Sequence, residues 1–248
     1  MVSARRLALA LLGLVALQPG PACAEVVVAD LSSHLIAITT GFTGASVVLF
    51  GATDGQADVV AIVRGPERDV TVWKRGKVAG IWANTDSVTF ANIPAFYAVA
   101  ASGPLNDILS PAAATLYKIG TDNLRFEPRS STDPEKASVF ANALIEVRKR
   151  AGVFSPSHQK ISFLGDKLFR TTFYFPANVP TGTYLVEVFL VRGKDVVGGQ
   201  TTPLVVSKVG VDAAVFDFAW RDAFAYGVIA VTMAVMAGWL ASLPFRNT

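Results

Sequence analysis

The sequence predicts a mainly β protein with a helical insertion (α+β), built of immunoglobulin-like β-sandwich modules and one C-terminal transmembrane helix. Three observations predict it. Short β-branched and aromatic runs, punctuated by Gly, Pro and Asp, recur through most of the chain. Between residues 104 and 154 that rhythm gives way to proline-led helical patterns. Residues 223–243 carry no charge, which at about 1.5 Å per residue is enough to cross a hydrocarbon core of about 30 Å.

Taken from the N-terminus, residues 1–24 read as a signal peptide. Arg5 and Arg6 supply the positive start, Leu7–Leu17 the short apolar region, and Ala22-Cys23-Ala24 the small residues before a cut at Glu25. A lipoprotein signal acylated at Cys23 is the rival, and Gly20-Pro21 fits it badly. Cys23 is the chain's single cysteine, so the mature protein is expected to hold no disulfide, thiolate nucleophile or cysteine-bound metal.

Residues 25–103 form the expected N-terminal β-rich domain. Its strands are Val26–Ala29, Leu35–Thr39, Ser46–Phe50, Asp58–Val63 and Asp69–Trp73, with Arg64-Gly65-Pro66-Glu67 as a hairpin turn, followed by Ile81–Ala83 and Ser87–Phe90. The helical segment, 104–154, holds short helices at Pro104–Leu109 and Pro111–Ile119. A longer one starts at the N-cap Asp133 and buries Val139, Phe140, Ala143, Leu144 and Val147. Its last turn, Arg148-Lys149-Arg150, reads as a solvated helix end complementing the dipole rather than a binding patch. Residues 155–210 form a β-sandwich-like module. Phe169, Phe173 and Phe175 mark one buried face, Pro180-Thr181-Gly182-Thr183-Tyr184 leads into the longest strand, and Arg192–Asp195 turns the chain.

The 223–243 stretch ends at Pro244, with Trp220 and Tyr226 near one boundary and Trp239 nearer the other. A core helix is the alternative. Ala223, Gly227, Ala230, Ala234 and Gly238 recur every three or four residues, a small-residue stripe suited to a helix–helix interface in lipid.

The net charge of +3 is positional. Removing Arg5, Arg6 and Arg246 from the 22 basic residues leaves 19, equal to the 19 acids, so no nucleic-acid partner is expected. The two histidines, His34 and His158, lie far apart, with neither a second histidine nor a carboxylate at ligand spacing, and no Gly-x-Ser-x-Gly elbow or phosphate loop occurs. No catalytic residue, metal site or cofactor is therefore expected. The most unusual string is Gly80–Phe90, where Trp82, Asn84 and Asp86 have the composition of a ligand-contacting loop. The plainer reading is a tryptophan anchoring the core beside an Asn/Asp turn.

Arg64-Gly65-Pro66, the string Gly80–Phe90, Ile93-Pro94-x-Phe96-Tyr97 and the stretch Pro180–Leu190, followed by the terminal helix, resemble in that order the putative transmembrane protein family of alphaproteobacteria. That family has no assigned activity. The resemblance implies a Gram-negative inner membrane, a periplasmic domain and a neighbouring permease similar to sulfite exporters. The expected function is a non-enzymatic, single-pass accessory protein with its C-terminus in the cytoplasm, partnered by the inner membrane and by a permease or a second copy. A periplasmic binding module for a small anion or an envelope ligand is the alternative.

Overall fold

The strands fall into two kinds according to how their apolar residues are spaced. β10 (Leu168–Pro176) alternates, burying Phe169, Thr171, Phe173 and Phe175 and exposing the residues between them. That is the period-two pattern of a sheet with one wet face. β4 (Asp58–Arg64) instead buries five consecutive residues, Val59–Val63, and is covered on both faces. The computed structural model describes residues 27–78, 80–210 and 218–242. The expected leader with Cys23 lies outside them, as do Leu243, Pro244 and Arg246.

Two sheets share one apolar core. The four-stranded sheet has the order β1-β3-β10-β9, with β1 Val27–Leu31, β3 Gly44–Thr53 and β9 Ser162–Leu164. The six-stranded sheet has the order β2-β12-β11-β4-β7-β8, with β2 Leu35–Ile38, β7 Tyr97–Ala101, β8 Gln159–Lys160, β11 Gly182–Arg192 and β12 Asp195–Lys208. Leu49, Phe169, Phe173 and Phe175 from the first meet Tyr184, Val188, Leu190 and Leu204 from the second, as in a β-sandwich. Stretches 25–103 and 155–210 do not build separate sheets. β3 pairs with β10, β4 with β11, and β2 with β12.

The expected turn at Arg192–Asp195 closes the β11–β12 hairpin, with Gly193 and Lys194 both at positive φ. The turn expected at Arg64–Glu67 does not close one. β4 lies between β11 and β7, whereas β5 (Glu67–Val78) pairs with β6 (Ile81–Pro94) in a separate two-stranded ribbon. Ile81–Ala83 and Ser87–Phe90 are parts of that one strand, β6.

The helical segment covers the outer face of the larger sheet. α1 (Leu105–Ile108) and α2 (Pro111–Leu116) contribute Ile108 and Ala113 to the core, and Ile119 follows them. The Tyr117 ring lies 5.1 Å from that of Phe189 on β11. Beneath it, Arg64 pairs with Glu187 and donates to the Tyr117 carbonyl at 2.5 Å. α3 (Pro134–Arg150) starts as expected, the Asp133 carboxylate accepting from the Glu135 amide at 3.1 Å. Its buried face is narrower than expected. Phe140 and Leu144 are buried, but Val139 and Val147 are about 60% exposed. The physical reason is the partner, a two-stranded ribbon too narrow to cover more than one stripe.

α4 (Ala223–Ser242) has 20 residues. Phe224, Val231 and Val235 are exposed, and none of its described side chains belongs to either apolar core. That sets aside the core-helix alternative. Its described side chains end at Trp239, and among the described residues no helix is long and apolar enough to cross a membrane.

Tyr97 ties β7 to the helical segment: its hydroxyl donates to the Lys118 carbonyl and accepts from the Gly120 amide, both at 2.8 Å. Burial pushes its phenol up to about 12. A pKa raised on folding gives stability that is fully present below the unfolded value near 10 and is lost as pH rises through the folded one. Urea denaturation at about pH 9 and about pH 11 should show this loss, and Tyr97→Phe should lose less over the same interval. Equal losses in the two proteins would exclude Tyr97 as the source.

Candidate functional site

The β5–β6 ribbon is the part of the chain that the sandwich does not use. Its strands of 12 and 14 residues make a hairpin roughly 40 Å long. One face carries Val70, Val72, Val88 and Phe90, which with Ile93 pack on Phe140 and Leu144 of α3. At its end α3 meets the sandwich, where the Val153 carbonyl accepts from the Tyr97 amide at 2.9 Å. At its start it meets the ribbon midway, where Lys136 Nζ lies 2.7 Å from Asp86 Oδ1. The helix is thus a brace for the first half of the hairpin, and the second half extends past it.

The base of the hairpin is a junction of three sequence strings. Arg64-Gly65-Pro66 leaves β4, Ile93–Tyr97 enters β7, and Pro180–Tyr184 enters β11. The Gly65 amide donates to the Phe96 carbonyl at 2.8 Å, and the Ala95 amide to the Pro66 carbonyl at 2.9 Å. The Phe96 ring stacks on Phe175 at 4.9 Å and tilts against Tyr184 at 5.8 Å. The Tyr184 hydroxyl donates back to the Pro180 carbonyl at 2.5 Å, the geometry of a tyrosine corner. Burial raises its phenol well above the ordinary tyrosine range. Space here is short. A methyl group on residue 65 would lie 2.8 Å from the Phe96 backbone nitrogen and 3.0 Å from the Tyr184 ring.

The candidate contact residues Trp82, Asn84 and Asp86 all sit on β6 but do not share a face. Asn84 pairs with Arg75 and Asp86 with Lys74, with a bulge between the two pairs. Neighbouring β5 residues point to opposite sides, so the extra residue, Thr85, turns Asp86 toward α3. A hydrogen bond from Lys136 is the main cause holding its carboxyl below the usual carboxylate range. Trp82 and Asn84 keep the opposite face. Trp82 is 65% exposed, with Lys77 Nζ 5.4 Å from its ring centre. It is therefore no core anchor.

The sequence reading missed the facing strand: Trp73, Lys74, Arg75, Lys77 and Val78, all exposed. The available signal was Val70-Thr71-Val72-Trp73, whose β alternation continues straight into cations. On α4, the space beside Gly227 and Gly238 is open for at least 4 Å, and Ala223, Ala230 and Ala234 lie along the same face of the helix.

Elsewhere the chemistry is sparse. His34 Nε2 lies 2.9 Å from Asp30 Oδ1, both well exposed, which corrects the expectation that neither histidine has a carboxylate at ligand spacing. His158 lines neither of two open depressions on the sandwich. One, of about 410 Å³, lies between Asp58, Asp166 and Arg192, and the other, of about 360 Å³, lies beside Tyr117 and Phe189. Among the described residues no three potential metal ligands cluster. In the basic triplet, Lys149 Nζ lies 3.6 Å from Glu146, and Arg148 is partly buried, which lowers its guanidinium pKa.

A family profile described as putative transmembrane protein, Alph_Pro_TM, matches residues 26–247. The match takes in both sheets, the junction, the hairpin and α4. The chain belongs to this family. No curated protein matches this Alph_Pro_TM chain. In its structure the strings that carry the family resemblance, Arg64–Pro66, Ile93–Tyr97 and Pro180–Tyr184, meet at one place. Gly65→Ala is accordingly expected to cost about 1–3 kcal/mol in chemical denaturation, because the added methyl meets backbone rather than a movable side-chain tip. An unchanged midpoint would mean that the junction yields freely.

Proposed function

We propose that this Alph_Pro_TM protein is a non-enzymatic accessory protein, anchored in the inner membrane by α4 and holding its β-sandwich and hairpin in the periplasm beside a permease of the sulfite-exporter kind. The observation that carries the reading is α4 itself. Its 20 residues give about 30 Å of helix, its large apolar side chains from Phe224 to Trp239 are exposed, and the uncharged sequence continues through Leu243. A helix that is apolar all round and unburied by its own domain is matched to lipid. Membership in a transmembrane family points the same way. The leader at 1–24 supports export of the N-terminal side, which leaves the C-terminus cytoplasmic. The permease is inferred from the family resemblance. The non-enzymatic reading is supported by two histidines that are remote in sequence and line neither of the depressions described.

Two experiments test this. N-terminal sequencing of the membrane-extracted protein should begin at Glu25, and reporter fusions at residue 150 should be active only in the periplasm. A retained Met1 would refute cleavage, and a cytoplasmic reporter would refute the topology.

The small-residue face supplies a third experiment. Replacing Ala234 by Leu should separate two backbones packed along that face and weaken the association about tenfold, leaving insertion intact. Val235→Leu, about 100° round the helix, should have little effect. Co-purification from mild detergent is the readout. If neither substitution alters any association, α4 is an anchor alone.

A further inference from the structure

The far half of the β5–β6 hairpin has a composition that neither the anchor nor the sandwich accounts for. Past the Lys136–Asp86 contact, the turn at Gly80 is flanked by Val78 and Ile81, paired across it and 55% and 72% exposed. Trp82 follows on the opposite face. Lys77, Arg75 and Lys74 stand behind them, all exposed, and all within about 13 Å of Val78 along the strand. From Val70 to Thr85 the sequence contains no acid. Of the nearest carboxylates, Asp86 lies across the ribbon from Lys74 and is hydrogen-bonded by Lys136, and Asp69 is paired with Arg129 at the hairpin base, so Arg75 and Lys77 have no carboxylate opposite them. The order is aliphatic tip, then indole, then three cations. It matches the depth profile of a lipid surface, where acyl chains give way to an interface that favours Trp and then to anionic phosphates.

The topology brings this tip within reach of a bilayer. β4 exits toward the hairpin at Arg64, which pairs with Leu185 near the start of β11. Gly182, at that start, pairs with Val206 in the last turns of β12, and Lys208 ends the strand. The hairpin and the segment leading to α4 therefore leave the sandwich from the same end. From Lys208 to Ala223 the chain spans 15 residues, at most about 50 Å in any conformation. A hairpin of roughly 40 Å is commensurate with that tether.

We propose that the tip of the β5–β6 hairpin docks on the membrane that holds α4, inserting Val78, Ile81 and Trp82 at the interface of an anionic bilayer with Lys74, Arg75 and Lys77 against its phosphates. The proposal rests on the anchored topology for the bilayer's proximity, and the test separates the two. Full-length protein is reconstituted into vesicles with Trp82 as the sole tryptophan (Trp73, Trp220 and Trp239 changed to Phe), and in parallel with Trp239 as the sole one. The vesicles are phosphatidylglycerol or phosphatidylcholine, each with plain or brominated acyl chains.

Trp239 should be quenched by brominated chains in both lipids. If it is not, the anchor reading fails. Trp82 should be quenched and blue-shifted in brominated phosphatidylglycerol and much less in phosphatidylcholine. Changing Lys74, Arg75 and Lys77 to Ser should weaken tip docking on the order of a hundredfold. Ile81→Asp should abolish the quenching while co-flotation through α4 persists. Trp239 quenched with Trp82 unaffected in every vesicle would overturn the tip proposal alone. So would a Trp82 shift that needs an added membrane protein and occurs without bromine quenching, which would assign the tip to a protein partner.

Discussion

The contact on which this structure depends is the close approach of Gly65 to Phe96 and Tyr184. It allows three rings, Phe96, Phe175 and Tyr184, to meet from a loop, the smaller sheet and the larger sheet. That cluster pins one sheet on the other at one end of the sandwich. It also sets where the chain may leave it. Gly65 and Pro66 are wedged between Phe96 and Gly182, and beyond them the next strands leave the sandwich as a ribbon braced by α3. The projecting hairpin is thus a consequence of core packing rather than an appendage to it.

The helical segment answers a different need. β4 and β7 are buried on both faces, and the smaller sheet can cover only one of them. Residues 104–124 supply the second cover. They bring the Tyr117 and Lys118 carbonyls and the Gly120 amide to the polar groups that the sheet presents there, Arg64 and Tyr97. Arg64 is desolvated, which lowers its pKa, and it is held by Glu187 and the Tyr117 carbonyl. A buried cation without such partners would cost several kcal/mol, so the cover and the ion pair belong together.

Much of this was legible in the sequence, and the parts that were not share a cause. The β10 alternation, the Asp133 cap, the turn at Arg192–Asp195 and the lead-in to Tyr184 are local, set by residues within a few positions of one another. The mainly β class with a helical insertion followed from them. Pairing of β3 with β10 or β2 with β12 joins residues more than a hundred positions apart, which no local pattern encodes. The same blindness affected the site. Trp82 was singled out from its own strand, but the cations that give it meaning lie across the turn, and a single bulge residue moved Asp86 to the other face. The stripe on α3 was misjudged because its width depends on what it packs against.

The interleaving of the two sheets has a further bearing on how the chain is made. β2 emerges from synthesis early, yet among the described residues its one strand partner is β12, and β3 has to wait for β10 before its second edge is paired. Such non-local closure gives a high contact order and slow folding. A nascent chain would therefore stay open, with its half-sheets unpaired, until the residues up to Lys208 had been made. Only 14 residues lie between that strand and α4. The sandwich is thereby left to close as one late event, when nearly all of the chain ahead of α4 exists.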